Sequence, residues 1–250
     1  PRVPDANALW ALNRQPSVMF LDSKGDIMGV RGPYYGRRAP LAELPDYVPQ
    51  AFLAIEDRRF YEHEGVDRTA VLRAILANLR AGSTVQGGST ITQQVAKNFL
   101  LTNEVSFNRK IKEALLAMRI ERTYTKDKIL ELYLNEIYLG LSAYGIAAAS
   151  LVYFDKSVNE LTVAEAAYLA ALPKAPSSLH PVRNRDRAIE RRNYVIDRLL
   201  ENGWIKQADA VAARKEPLNV TSRSNAAHIF AGEYFAEEVR RDIFERYGEK

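Results

Sequence analysis

Two glutamates stand among apolar residues at helical spacing, and each has the surroundings of a catalytic carboxylate. On a helix, Glu56 has Phe52 and Phe60 as neighbours one turn away on either side. Burial in such surroundings raises the pKa of a carboxyl group and makes it a usable proton carrier near neutral pH. From this segment alone, an ion pair with Arg58 or Arg59 is the favoured interpretation, since ion pairs outnumber catalytic acids in proteins.

Glu113 repeats this pattern further along the chain. One helical turn before it lie the cations Arg109 and Lys110, and the following turns carry apolar side chains such as Leu116 and Ile120. A stripe that passes from cations through a carboxylate to apolar surface suits an anionic head group attached to an apolar tail. The alternative is an Arg109–Glu113 ion pair on a solvated helix face.

A third candidate is the start of a helix after the glycines of residues 86–90. Thr90 and Gln93 match a capping box, which predicts that a helix begins here. The free N–H groups and the dipole at a helix start favour an anion, and Gln93 and Lys97 would continue along one face. The segment lacks the GxxxxGK[ST] spacing of a Walker loop, so it does not predict a nucleotide site.

Lys174 lies in a predicted loop that Pro173 and Pro176 stiffen. A lysine held with so little conformational freedom is suited to bind an anion. Without further context, an ordinary exposed loop lysine is the stronger interpretation.

The elements that must position these residues are mainly helical. Val18–Leu21 and Ile27–Val30 flank a turn and predict a small β-hairpin. From about residue 44 onward the apolar positions recur with a helical period. Helices are predicted at 47–62, 66–79, from 90 onward, 126–139 with Thr125 as N-cap, 163–172 and 188–201, with loops at 80–88 and around 173–181.

Composition excludes several classes of site. The chain of 250 residues is 47% hydrophobic and 26% charged, so it can bury a core without disulfides. Because it has no cysteine, disulfide scaffolds, thiol catalysis and Cys-ligated zinc are excluded. Its three histidines lack metal-binding spacing. The net charge of +4 favours acidic partners such as phosphate, nucleic acid or an anionic membrane without choosing among them.

The longest uncharged run and the ends of the chain bear on whether this sequence contains a membrane-spanning segment. Ile137–Phe154 is borderline in length for a span, but its polar residues favour a buried helix after a loop. The chain begins with Pro1 and shows no signal peptide, so we expect a fragment or processed form that lacks any upstream anchor. Residues 214–228 predict a linker, and the last 22 residues predict an amphipathic helix.

Five motifs follow one another between residues 56 and 170. They are EDRRFYEHEG at 56–65, GGSTITQQ at 87–94 with Lys97–Asn98 after it, RKIKE at 109–113, KDKILELYLN at 126–135, and the segment 145–170. In this order they resemble the peptidoglycan glycosyltransferase domain of class A penicillin-binding proteins, a lysozyme-like family also called glycosyltransferase family 51. The SxxK, SxN and KTG motifs of penicillin-reactive domains are not assembled here.

The resemblance implies a mainly α-helical, lysozyme-like domain with a small N-terminal β-hairpin element and a membrane-associated jaw subdomain. Residues 1–45 would then be an N-terminal β and linker region, and 46–213 the glycosyltransferase domain. Within that domain, 98–124 would be a mobile, membrane-facing jaw. Residues 214–250 would be a linker towards a transpeptidase region that is missing.

The activity implied by the resemblance is polymerisation of lipid II into β-1,4-linked glycan strands, with inversion and release of undecaprenyl diphosphate. Lipid II carries a diphosphate, a polyprenyl tail and a disaccharide-pentapeptide. Glu56 would take the proton of the acceptor 4-hydroxyl, and Glu113 would position the donor diphosphate through a bound cation or Lys110. The substrate-binding residues implied are Asp57, Phe60, His63, Ser89, Thr90, Gln93, Gln94, Lys97, Asn98, Arg109, Lys110, Lys174 and Ser177.

The same resemblance implies the surroundings in which the protein works. No cofactor is established by it, and a divalent cation, Mg or Mn, at the donor diphosphate is left open. The expected partners are lipid II, the growing glycan strand, the membrane surface, phosphoglycolipid inhibitors of the moenomycin type and other cell-wall synthesis proteins, but not nucleic acid. The expected location is the outer, periplasmic face of the bacterial cytoplasmic membrane, with an N-terminal transmembrane anchor that this chain lacks.

Two other functions remain as alternatives. A lysozyme-like hydrolase would use Glu56 as a general acid to cleave glycan. The cations and the apolar stripe argue against it, because a glycan polymer offers neither diphosphate nor lipid. A non-catalytic basic module that binds acidic lipid or nucleic acid would not need Glu56 and Glu113 on apolar helix faces.

Overall fold

A helical body with a few short strands makes up the protein. The computed structural model describes residues 18–21, 23, 27–31, 33–73, 88–100, 107–220 and 246. The helices are α1 (Tyr47–Glu56), α2 (Ile91–Leu100), α3 (Phe107–Thr123), α4 (Lys126–Glu136), α5 (Ile146–Phe154), α6 (Val163–Ala171), α7 (Arg185–Glu201) and α8 (Gln207–Lys215). The strands are β1 (Val18–Leu21), β2 (Ile27–Arg31), β3 (Tyr34–Tyr35) and β4 (Ala143–Tyr144). The predicted mainly helical class is confirmed.

The strands attach the beginning of the chain to the helices. β1 and β2 pair antiparallel, whereas β3 pairs parallel with β4, just before α5. Beyond β3, the Ala39 N–H donates to Asn135 Oδ1 at 2.8 Å, and the Asn135 amide donates back to the Ala39 carbonyl at 2.9 Å. Leu44 is buried in the core. The segment just before the predicted boundary at residue 45 therefore packs on the helical body and is not separate from it.

The centre of the core is α1, which packs against both α6 and α7. Its residues Val48, Ala51 and Phe52 are fully buried. The alanines of α6 are buried too and allow close approach of the helices. Each large apolar side chain buried in this way contributes about 1.5–3 kcal/mol. The carboxyl end of α1 is therefore held in a fixed place.

The end of α1 differs from the prediction. The helix ends at Glu56 instead of continuing to residue 62. Asp57 leaves the helix with φ −159° and ψ 72°, and Phe60–Glu62 forms a separate 3-10 turn. Phe60 is thus not on the same helix as Glu56, and the predicted i+4 contact is wrong.

Other helix boundaries follow the predicted signals more closely. Thr125 is the N-cap of α4, and its hydroxyl accepts from the Lys128 N–H at 3.3 Å, which confirms the predicted cap. The helix ends at Glu136, before the predicted limit of 139. The predicted loop at Lys174 begins one turn later, because Leu172–Lys174 forms a 3-10 turn after α6. In the described residues, no helix is long and apolar enough to cross a membrane.

The packed body continues past the predicted domain limit at residue 213, which falls inside α8. Buried Arg192 donates to the carbonyls of Glu216, at 2.6 Å, and Arg214, at 3.2 Å. Leu218 is also part of the core. The predicted linker from 221 onward, the final amphipathic helix, the hairpin turn and residues 74–87 lie outside the described residues, apart from Ser23 and Arg246.

Gly145 offers a test of this packing. Its φ is +79°, and a Cβ there would overlap the backbone oxygen of Asn135. Gly203 has a similar φ of +71° but nothing within 4 Å of the same position. We expect Gly203→Ala to lower the free energy of unfolding by about 1 kcal/mol through backbone strain alone, and Gly145→Ala by more than ~3 kcal/mol. Urea denaturation measures both, and equal losses would contradict the packing.

Candidate active site

Glu56 is the last residue of α1 and is partly buried. Its Oε2 accepts a hydrogen bond of 2.9 Å from the Gln94 side chain on α2. Burial raises the pKa of Glu56 above its usual range, although the Gln94 bond and the positive charges of Arg191 and Lys174 oppose this rise. A carboxyl group with a raised pKa can exchange a proton closer to neutral pH than an ordinary one.

Arg59 does not form the ion pair with Glu56 that was the alternative to a catalytic role. That guanidinium donates to the carboxylates of Glu62, at 2.7 Å, and Asp67, at 3.5 Å. Arg58 is exposed. The oxygen contact that the structure gives Glu56 is the bond from the neutral amide of Gln94, which favours the catalytic interpretation.

The residue after Glu56 joins the first two motifs. Both carboxylate oxygens of Asp57 lie 2.9 Å from His63 Nε2, and Oδ2 also accepts from the Ile91 N–H at 3.0 Å. Asp57 and His63 are both buried. The carboxylate therefore takes the orphan N–H at the start of α2 and fixes this helix beside Glu56.

The predicted capping box at the start of α2 is confirmed. The Thr90 N–H donates to Gln93 Oε1 at 2.9 Å, and the Gln93 N–H donates to Thr90 Oγ1 at 3.1 Å. Thr90 Oγ1 also donates to the Gly65 carbonyl at 2.6 Å. Gln93 and Lys97 lie one turn apart on α2 and so share a helix face, as predicted, but Gln93 is buried and Lys97 is exposed.

Several residues implied as substrate-binding are thus buried and hold the motifs together. Phe60 is fully buried, and Lys126 Nζ lies 4.3 Å from the centre of its ring. These buried side chains can position other residues of the site, but they offer little surface to a ligand. The buried members of the implied set are Asp57, Phe60, His63, Thr90 and Gln93.

The second glutamate lies in a separate polar cluster. Glu113 is buried, and Lys110 Nζ donates to its Oε1 at 2.5 Å and to Ser89 Oγ at 2.7 Å. The interpretation of Glu113 as part of a solvated helix face is therefore wrong. The Lys110 side chain is half exposed, so its ammonium group faces solvent while the buried Glu113 carboxylate fixes its position.

A cavity of about 490 Å³ connects these features, since both Glu56 and Ser89 line it. Lys174 is exposed and acts on Glu56 through its charge. Arg109, beside Lys110 on α3, is partly buried, while Lys97, Asn98 and Ser177 are exposed. The cavity thus has the Glu56 carboxylate at one position and Ser89, whose hydroxyl accepts from Lys110, at another.

Sequence reasoning missed the contribution of α7. The positive charge of Arg191 lowers the pKa of Glu56, and its guanidinium lies 4.8 Å from the ring centre of Tyr194. Arg198 stacks on the same ring at 5.3 Å. Their spacing of three and four residues places all three on one helix face, and this signal could have been read from the sequence.

A metal site built by the protein alone does not fit the described residues. Among them no group of three or more histidine, aspartate or glutamate side chains could hold a metal ion. Glu113 is also engaged by Lys110, an ammonium group that already supplies the positive charge. We therefore derive no step through a metal.

Comparison with known proteins gives a consistent result. The family model described as Transglycosylase matches residues 25–200. Penicillin-binding protein 1A of Aquifex aeolicus is 47% identical over 247 residues, which are 99% of this chain and 34% of that protein. Penicillin-binding protein 1A of Escherichia coli is 45% identical, over 100% of this chain and 29% of that protein. The chain spans about a third of the length of these relatives.

A solved structure is similar as well. The crystal structure of penicillin-binding protein 1A from Haemophilus influenzae superposes with a TM-score of 0.57 at 29% sequence identity. The match covers 95% of this chain and 25% of that protein. The likeness therefore extends over nearly all of this chain.

Proposed function

Because the chain belongs to the transglycosylase family of penicillin-binding proteins, as the motifs predict, we propose that it is a peptidoglycan glycosyltransferase. Its substrate would be lipid II, and its products a β-1,4-linked glycan and undecaprenyl diphosphate. The observation that supports this most is Glu56, a partly buried carboxylate with a raised pKa that lines the same cavity as Ser89, whose hydroxyl accepts from Lys110. A general base and a diphosphate site are what this transfer needs.

Glu56 would act on the acceptor sugar. Gln94 holds the carboxylate through Oε2, so Oε1 can face the acceptor 4-hydroxyl and take its proton. The acceptor oxygen then forms a bond to C1 of the donor while the bond from C1 to the diphosphate breaks. Attack from the side opposite the diphosphate inverts the anomeric centre and turns an α-linked donor into a β-linked product.

Lys110 would act on the leaving group. Its ammonium, held by Glu113 and Ser89, can pair with the diphosphate as negative charge develops there. A diphosphate neutralised in this way leaves without a strong general acid. Glu113 is therefore a positioning residue for Lys110 in this proposal, and no divalent cation enters the scheme.

The test offers the purified protein two substrates. With lipid II in detergent we expect glycan polymer, both in plain buffer and in the presence of EDTA. With preformed glycan we expect no change in chain length. Shortening of the glycan without use of lipid II would favour a hydrolase, and binding of lipid II without any product would favour a non-catalytic module. Loss of polymer with EDTA would show that the metal-free scheme is incomplete.

We also propose that α3 lies at the membrane surface, as part of a jaw over residues 98–124. Ile111, Leu115 and Met118 form one exposed apolar face on this helix, with exposed fractions of 46, 53 and 37%. Lys112, Arg119 and other cations flank this face and can meet anionic head groups. The proposed location is therefore the outer face of the cytoplasmic membrane, where phosphoglycolipid inhibitors and other cell-wall synthesis proteins would also meet the protein.

Substitution of this face tests its contact with lipid. We expect the double variant Ile111→Gln, Leu115→Gln to bind vesicles of phosphatidylglycerol and phosphatidylcholine at least ~10-fold more weakly, because two large apolar side chains no longer enter the interface. Leu72→Gln, at an exposed position outside α3, is the matched control. Equal binding by the double variant and the control in a vesicle sedimentation assay would contradict the proposed orientation.

A further inference from the structure

Part of the cavity beside Glu56 takes no part in the proposed reaction. Four arginines line its wall, and Arg59 among them is paired with Glu62 and Asp67. The other three are Arg58 just after α1, Arg73 at the end of the helical residues 68–73, and Arg198 on α7. Arg58 and Arg73 are exposed. We call these three residues the arginine cluster.

Besides Glu56 and Glu201, the carboxylates that line the cavity are bonded to residues outside the arginine cluster. Asp57 is bonded to His63 and to the start of α2. Asp67 accepts from the Thr69 N–H at 2.9 Å, the Thr69 hydroxyl at 2.7 Å, the Ala70 N–H at 3.0 Å and the guanidinium of Arg59. Both carboxylates are nearly inaccessible. Their bonds leave the charge of the arginine cluster available to a ligand.

Arg198 is held in place from one side. Its guanidinium stacks on Tyr194, which also carries Arg191 on its ring. Its Nε–H is buried and has no hydrogen-bond partner among the described residues. Its other partner is Glu201, in an exposed i,i+3 pair that contributes little and can open. Arg198 is therefore held in one orientation, and its terminal N–H groups become available to a ligand when the Glu201 pair opens.

The chemistry of this wall selects an anion, and with the diphosphate placed at Lys110 the remaining anionic groups of the proposed substrate are the carboxylates of its peptide. A guanidinium presents parallel N–H donors that match a carboxylate, and each such bond is stronger than one to a neutral hydroxyl. Neutral sugar hydroxyls do not require three arginines. Arg191, whose charge acts on Glu56, lies two helical turns, about 10 Å, from Arg198. A sugar at Glu56 thus leaves its substituents within reach of the cluster.

We propose that the arginine cluster is a binding subsite for the free carboxylates of the peptide carried by the saccharide that lies at Glu56. This inference rests on the proposed function, since it assigns a place to the peptide of lipid II or of the growing strand. The subsite would select substrates by their acidic peptide and would leave the chemical step to Glu56.

The test compares two substrates and three proteins. The substrates are lipid II and lipid II whose peptide carboxylates are converted to methyl amides. The proteins are the wild type, the double variant Arg73→Gln, Arg198→Gln, and the control Arg187→Gln, at an exposed position on α7. We expect the double variant to raise KM for ordinary lipid II about tenfold with kcat nearly unchanged. With the amidated substrate the wild type and the double variant should have the same KM.

The outcomes separate this inference from the proposed function. If the wild type makes no polymer from either substrate, the proposed function fails. The subsite is overturned if the wild type polymerises and the double variant has the same KM for ordinary lipid II. It is also overturned if the double variant raises KM equally for both substrates. Mixed reactions show whether the donor or the acceptor supplies the peptide. In one, a lipid-linked glycan donor is amidated and lipid II is ordinary; in the other, lipid II is amidated. The difference in KM between wild type and double variant should vanish only when the partner that supplies the peptide is amidated.

Discussion

Polymerisation of lipid II by the Glu56→Gln variant is expected to fall by about 10²- to 10⁴-fold, with lipid II binding largely retained. Glutamine keeps the shape of the side chain and can still accept from Gln94, but it cannot take a proton. The loss is therefore that of a general base, for which this range is typical. Single-turnover polymerisation measures the rate, and titration with lipid II in detergent measures binding.

The pH dependence gives a second readout of the same residue. Burial raises the pKa of Glu56, and a base acts only when it is deprotonated. For the wild type, kcat/KM should therefore decline as the pH falls through a value above the ordinary carboxyl range, and the residual activity of Glu56→Gln should not show this limb.

The control for this prediction is Glu64→Gln. Glu64 is exposed and belongs to the same motif, so its substitution should leave the rate within about twofold of the wild type, as is usual for a surface change. A loss of less than about fivefold in Glu56→Gln, against a general-base contribution of at least ~10², would remove Glu56 from this role.

The second large effect is expected from Lys110→Met. The substitution keeps much of the apolar stem but removes the charge that Glu113 and Ser89 hold. Loss of a hydrogen bond to a charged group costs about 1.5–3 kcal/mol. Affinity for a lipid-linked diphosphate should thus fall by about 10- to 100-fold. Isothermal titration with undecaprenyl diphosphate in detergent measures this affinity.

Lys112→Met is the matched control, because Lys112 is an exposed lysine on the same helix. It changes the net charge by the same amount, so it corrects for general electrostatic attraction. Similar affinities of the two variants would place the diphosphate elsewhere. Because Lys110→Met leaves the Glu113 carboxylate buried without its ammonium partner, circular dichroism of both variants should accompany the titration.

Local signals in the sequence were enough to predict parts of the fold. Thr125 and the pair Thr90–Gln93 were recognised as caps, since a side chain that bonds a neighbouring N–H needs no distant partner. The end of α1 was missed because it depends on a distant contact. Asp57 leaves the helix where its carboxylate meets His63 and the start of α2.

The candidate site was predictable in residue type but not in role. The two glutamates were selected by their apolar neighbours, and both are shielded in the structure. The motifs that contain Phe60 and Gln93 cannot show which side chains turn inward, because packing against other elements decides this. Arg198 was overlooked for a related reason, since its relation to Glu56 depends on how α7 packs against α1.

The proposed transfer joins sugars as the bond from the donor C1 to the diphosphate breaks. It is tested most directly by following glycan length and released undecaprenyl diphosphate in one reaction with the wild-type protein and lipid II. We expect that the glycan grows and that one undecaprenyl diphosphate is released for each linkage formed. Release of diphosphate without growth of the glycan, or shortening of added glycan while lipid II remains intact, would contradict it.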